Sequence, residues 1–276
     1  MKCRQGRFFF LFIIFLLLPL NALCAKEIAL TIDDLPFVGR IHGDSGKYRR
    51  EHNRFMKILN TLEQYHIPAT GFVTAGSIEP GQWEWLLAFK RAGNILGNHS
   101  YSHKSLNHKP IDWYIADVQK ADAILTPLLS NPKYYRFPYL AEGAGTPKYN
   151  EFRKYLFSHN YVIAPVTVDS KDFELNFKFL NIPWQKRKLY LNSFRQHYLN
   201  FIWAQMLRAQ RKAEKKVHRP IKLILLIHMN VLNSYFLEDI IKLYQKHGYR
   251  FISLPEALQD PYYKYAKSNS TESTMS

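Results

Sequence analysis

The sequence predicts an α/β chain in which about seven strand–helix units curl into a barrel, with a helical insertion ahead of the last buried strand. Three observations lead there. Short apolar runs alternate with segments of helical spacing, the pattern of βα units around a parallel sheet. About seven units in about 235 residues favour a closed barrel over an open sheet. The residues able to do chemistry, Asp33, Asp34, His99, Arg136, Asp169, Asp172 and His228, all fall where predicted strands end.

The first strand is Ile28 to Ile32, an apolar run closed by Asp33, Asp34 and Pro36. A helix over Tyr48–His66 carries Phe55, Ile58, Leu59 and Leu62 at helical spacing, and Pro68 ends it. Strands follow at Ala69–Val73, Asn94–Asn98, Tyr134–Phe137 and Tyr161–Val168. Helices separate them over Trp83–Arg91, Ile111–Leu129 and Asn150–Ser158. Lys186–Lys216 is a long helical stretch. Ile221–Ile227 is the most apolar run outside the leader and reads as a central strand. Leu237–His247 is a helix with Gly248 as its C-cap, and Phe251–Leu254 is the last strand. From Tyr262 the composition turns polar, predicting a flexible tail over 262–276.

Residues 1–25 read as a secretory signal peptide. Lys2, Arg4 and Arg7 precede the apolar run Phe8–Leu18, and Ala22-Leu23-Cys24-Ala25 offers small residues for cleavage. An uncleaved anchor and a lipid-modified Cys24 are the alternatives. The run is shorter than the ~20 residues of a membrane helix. The expected location is secreted or periplasmic, and membrane-associated if the leader is retained or Cys24 is lipidated. Cys3 and Cys24 are the only cysteines, so a cleaved chain relies on its core rather than a disulfide. The catalytic domain is expected over 26–261. Net charge is +16, and removing the three basic residues of the leader leaves +13. A secreted basic chain points away from nucleic acid and toward an anionic envelope polymer or membrane surface.

Two adjacent acids at a strand end face opposite sides, so one can bind a metal while the other moves a proton. An isolated Asp-Asp is more often a solvated turn. His99 and His103 change the weighing. Their four-residue spacing places both imidazoles on one side of a helical turn, and with Asp34 they make a three-ligand set that leaves positions open for water, the pattern of a catalytic zinc. His228 ends the most buried strand. It is either a satisfied core histidine or a general acid. Arg136, between Tyr135 and Phe137, requires a carboxylate partner if buried.

The ordered set Thr-Ile-Asp-Asp-Leu-Pro, His-Ser-x-x-His, Arg-x-Pro-Tyr, Asp-x-x-Asp-Phe and Leu-Ile-His, spanning Thr31 to His228, resembles the polysaccharide deacetylase family, carbohydrate esterase family 4. The resemblance implies a distorted (β/α) barrel and metal-dependent removal of an acyl group from an N-acylated sugar. It implies Asp33 as general base, Asp34, His99 and His103 as ligands of one divalent metal, most often zinc, and Arg136 as partner of the base. It further implies Tyr139 as a backbone donor to the oxyanion, Asp172 as the acid that orients His228, His228 as the proton donor to the leaving amine, and Leu226 as a wall of the acyl pocket.

Departures from the pattern bear on substrate more than on chemistry. Ile32 and Leu35 stand where the family has Phe and Gly, and loss of that Gly is expected to alter the loop and narrow access. Phe173 replaces the usual Trp beside the site, and no Gly follows Tyr139. The stretch between Asp172 and His228 holds a helical insertion, about 176–219, whose aromatics Trp184, Tyr190, Tyr198, Phe201 and Trp203 are expected to pack rather than bind sugar. The expected activity is hydrolysis of an N-acetyl group on an envelope or extracellular glycan. The alternatives are a deacylase of a lipid-linked sugar and a catalytically silent glycan-binding protein.

Overall fold

The structure, a computed structural model, describes residues 26–143 and 145–266. The leader and the last ten residues of the predicted tail lie outside the described residues. Eight parallel strands form one curled sheet: β1 (Lys26–Leu35), β2 (Ala69–Val73), β3 (Ile95–Asn98), β4 (Lys133–Tyr135), β5 (Tyr161–Ile163), β6 (Val168–Asp169), β7 (Leu223–His228) and β8 (Tyr249–Ile252). The order is β5-β4-β3-β2-β1-β7-β6. β8 pairs with Lys26–Ala29, the part of β1 that β2 does not reach. This is the distorted (β/α) barrel that the motifs imply.

β1 is the organising strand because its apolar run is buried on both faces: Ile28, Ala29, Leu30 and Ile32 are fully buried. A strand covered on both faces reads as continuous apolar sequence rather than alternation. Helices α1 (Ser45–Gln64), α2 (Trp83–Arg91), α3 (Ile111–Leu125) and α4 (Pro147–Ser158) connect the strands through β5. Farther along lie α5 (Asp172–Leu180), α6 (Arg187–Val217), α7 (Val231–Lys246) and the short α8 (Leu254–Ala257).

Four sequence expectations need correction. The predicted strand Tyr161–Val168 is two strands, β5 and β6, at opposite ends of the sheet, which raises seven units to eight strands. Pro165 has no N–H to offer a ladder, so residues 164–167 cross the seam instead. Ala164 N–H donates to Tyr135 O on one side and Thr167 N–H to Ile224 O on the other. Second, α5 begins at Asp172, where an insertion from about 176 was expected. Third, α7 begins six residues before Leu237, because Asn230 caps it by accepting from Asn233 N–H at 2.9 Å. Fourth, the fold continues to Ala266. Tyr263 is fully buried and donates to Lys222 O at 2.6 Å, so the polar tail does not begin at 262.

The insertion is integral to the fold. Tyr198, Ile202, Met206 and Ala213 form the buried stripe of α6. Trp203 stacks on His247 at 3.9 Å, and Arg195 pairs with Asp239 at 2.7 Å. Trp184 and Tyr190, in contrast, are exposed, so only part of the aromatic set packs as expected.

Candidate active site

The C-terminal ends of β1, β3 and β7 converge at one mouth of the barrel. At the end of β1 the register with β2 shifts between Ile32 and Leu35, and Asp34 takes a left-handed conformation (φ 62°). This bulge turns the two acids in different directions. Asp33 points inward and is buried. Asp34 lies at the mouth. Leu35 does not narrow the access, contrary to expectation: it is fully buried, and Gly71 provides the space for its side chain.

His99 and His103 come from the loop that follows β3. It is not a helical turn as the spacing suggested, since Ser100 (φ 67°) and His103 (φ 53°) are left-handed. Two flanking side chains hold it through three hydrogen bonds. Asp117 accepts from Tyr101 and Ser102 N–H at 3.2 and 3.1 Å, and Asn98 Oδ1 accepts from Ser100 N–H at 2.8 Å. His99 Nδ1 bonds Arg136 O at 2.8 Å, which assigns its proton to Nδ1 and leaves the Nε2 lone pair facing the mouth. Asp34 Oδ1 lies 3.2 Å from His103 Nε2 and 3.7 Å from His99 Nε2. The ligand atoms of all three lie within 4.8 Å of one another. Tetrahedral ligands about 2.1 Å from a zinc ion stand about 3.4 Å apart, so this donor set of two imidazoles and one carboxylate fits such an ion. Burial pushes the pKa of both histidines down, with His103 adding to the effect at His99 and Asp34 opposing it at His103. Both rings are thereby neutral, as ligands must be.

Arg136 is buried and reaches across the seam. Its Nε donates to Ala164 O at 2.7 Å, its Nη2 to Thr31 Oγ1 at 3.0 Å, and its Nη1 faces both oxygens of Asp33 at 3.4 Å. That pairing is longer than a tight charge-assisted bond of about 2.8 Å. Accordingly burial outweighs it, and the Asp33 pKa is pushed up to about 6.

Asp33 and His228 are cross-strand partners of β1 and β7. His228 Nδ1 bonds Asp172 Oδ1 at 2.6 Å. Asp172 is fully buried and accepts also from Ser170 Oγ, His228 N–H, Asn230 Nδ2 and Asn233 Nδ2. Burial opposes the charge on His228, but the Asp172 carboxylate prevails and its pKa rises to about 10.

Two of the remaining predicted residues, Tyr139 and Phe173, stand beside His103 and His228. Tyr139 is left-handed (φ 59°), and its ring lies 4.6 Å from that of His103. Leu226 shares the inward face of β7 with His228 and is buried apart from the main apolar core. The Phe173 ring meets His228 edge-on at 5.8 Å. A cavity of about 570 Å³ opens beside Asp34 and His228, lined by Val38, Phe173, Phe177 and Leu180 among others. The sequence reading missed Thr31, Asn98, Ser170, Tyr198, Asn230 and Asn233. The one local signal was Asn230, two residues after His228, a residue type suited to a helix N-cap.

Fold and site together define a (β/α) barrel whose mouth holds a carboxylate–bis-histidine cluster beside a buried acid and a charged histidine. The polysaccharide deacetylase family model matches residues 21–156, so the chain is similar to that family over that span. Asp172 and His228 lie beyond the matched span, so the fold brings them to the site. A peptidoglycan-N-acetylglucosamine deacetylase of Bacillus cereus is 29% identical over 149 residues, 54% of this chain and 46% of its own. The chain thus spans about half the length of that relative. Among solved structures, a chitin deacetylase of Colletotrichum lindemuthianum aligns over 86% of this chain and 88% of its own, with TM-score 0.58 and 22% identity. A CE4 family pseudoenzyme from Bacillus anthracis aligns over 85% of this chain and 66% of its own, with TM-score 0.57 and 16% identity. These likenesses show the fold.

Proposed function

We propose that the protein is a metal-dependent hydrolase that removes an N-acyl group, foremost N-acetyl, from an envelope glycan. One observation carries this reading: a buried acid, Asp33, and a charged histidine, His228, flank a cluster of three neutral or anionic ligands at the barrel mouth. The B. cereus relative, named for peptidoglycan N-acetylglucosamine, supports the substrate class.

Asp34, His99 and His103 would hold one divalent cation, zinc by its nitrogen-rich donor set. When bound it supplies Lewis acidity toward the amide carbonyl and acidifies water. Asp33, steadied by Arg136, takes the proton from the attacking water. The Tyr139 backbone N–H donates to the developing oxyanion. His228, oriented by Asp172, gives its proton to the departing nitrogen as the C–N bond breaks. Water and amide thus become carboxylic acid and amine, and no nucleophilic side chain is needed. Leu226 and Phe173 bound the space for the acyl group. The leader-like residues 1–25 support a periplasmic or secreted location.

The test is metal content of the purified chain together with acetate release from N-acetylated peptidoglycan and chitin oligomers, with Asp33→Asn as control. One metal per chain, and acetate release lost in the control, is the expected result. Metal without acetate would move the search to lipid-linked or otherwise acylated sugars. Absence of metal after zinc supply would leave a silent glycan-binding barrel.

A further inference from the structure

Helix α5 is apolar on two faces. Leu175 and Phe179 face inward, which fits a helix packed on the barrel. Phe173, Phe177 and Leu180, at helical spacing on the other side, face solvent. The chain then turns into α6 and exposes more apolar surface: Phe177 is 67% exposed, Trp184 73% and Leu189 80%. Side chains of this size are rarely grouped on a solvated face without an occupant.

The corner is built rather than loose. Arg187 Nη2 donates to Leu180 O at 2.8 Å and its Nε to Ile182 O at 2.9 Å, closing the end of α5. Its guanidinium lies 5.6 Å from the centre of the Phe179 ring, and Phe179 packs on Phe194 of α6 at 5.1 Å. The backbone that carries the exposed groups is therefore anchored at this corner.

Charge identifies the occupant. Lys178, Lys186 and Lys188 stand among these apolar groups, are exposed, and make no ion pair among the described residues. From Lys171 to Arg195 there are six basic residues and two acidic ones, of which Asp172 is buried with His228. Large apolar side chains including a Trp, interleaved with free ammonium groups, match the boundary between acyl chains and anionic headgroups. A protein groove would complement the apolar groups but would bury the three lysines at a cost.

We propose that the α5–α6 corner docks on an anionic lipid bilayer. The cavity beside Asp34 and His228 is walled by the same Phe173, Phe177 and Leu180, so docking sets the mouth of the site at the bilayer surface. The proposal does not depend on the reaction assigned above.

The experiment uses the full chain with vesicles of phosphatidylglycerol and phosphatidylethanolamine containing brominated acyl chains, against phosphatidylcholine vesicles. Tryptophan emission is expected to be quenched on the anionic vesicles, and Trp184→Phe should lose most of that quenching. Phe177→Ser with Leu189→Ser should lower binding about tenfold. Lys178→Gln, Lys186→Gln and Lys188→Gln together should flatten its salt dependence. All of these sites are solvent-exposed, so folding should persist. Equal quenching in the chain and in Trp184→Phe would overturn the proposal, because residues elsewhere, including 1–25, would then make the contact. Self-association in solution that Phe177→Ser with Leu189→Ser abolishes, without vesicle quenching, would overturn it in favour of a second copy.

Discussion

The Tyr198 hydroxyl, on the inserted helix α6, donates to Asn233 Oδ1 at 2.8 Å. Asn233 Nδ2 in turn donates to Asp172 Oδ2 at 2.5 Å and to His228 O at 2.8 Å. The insertion is thereby wired to the pair that is assigned proton donation. Tyr198 and Asn233 are buried, where a hydrogen bond is expensive to leave unmade. Their role is to position, since neither reaches the mouth of the site.

Asn233→Ala should lower kcat by 10- to 100-fold, on the order of other losses of outer supporting contacts, with KM and metal content little changed. Tyr198→Phe keeps the ring and removes one bond, at a stability cost of about 1 kcal/mol. Its kcat should fall less than that of Asn233→Ala. A merely structural role predicts lower melting temperatures with kcat unmoved, so the two readouts separate the cases.

Much of the candidate site was legible because the residues able to do chemistry sit at strand ends, and strand ends are marked by apolar runs. Asp33, Asp34, His99 and His228 could be found that way. Their supports could not. Thr31 reads as one more strand residue, yet its hydroxyl accepts from Arg136 and donates to Leu225 O. Tyr198 lies 35 residues from Asn233, and nothing local links them. The split of β5 from β6 was equally hidden: Pro165 marks a break, but only the closing of the barrel sends the two halves to opposite edges. The helical reading of His99–His103 failed because spacing fixes neighbours only once a helix is given, and here Asn98 and Asp117 hold a loop.

Arg136 is predicted to be the most sensitive position for stability. It is buried, and it joins Asp33, Thr31 and Ala164 across the seam. Arg136→Ala leaves Asp33 buried without its partner, a loss of about 3–5 kcal/mol. Arg136→Lys keeps the charge but cannot reach three partners at once, so chemical denaturation should place it between the wild type and alanine. Lysine matching the wild type would show that the guanidinium fork is not what bridges the seam.

Ligand and base should separate in the laboratory. His103→Ala is half-exposed at the mouth and should lose zinc affinity while the fold melts within a few degrees of the parent. Asp33→Asn should keep zinc and lose acetate release. Both variants losing metal alike would place Asp33 among the ligands instead of apart from them.

The last expectation concerns pH in the metal-free protein. The folded pKa of His228 is raised to about 10, above the ordinary 6.5. A group raised in this way contributes stability that is fully present below about pH 6.5 and is lost as pH climbs through about 10. Asp172 is depressed below the ordinary carboxylate value: burial works against it, and His228 together with its other donors prevails. Its contribution is present above about pH 4 and lost below. The melting-temperature gap between the parent and His228→Gln should therefore be widest near pH 6 and close by about pH 10. A gap that stays constant from pH 6 to 10 would mean that the ring is neutral throughout and held only by packing, and His228 would then have no proton ready to give.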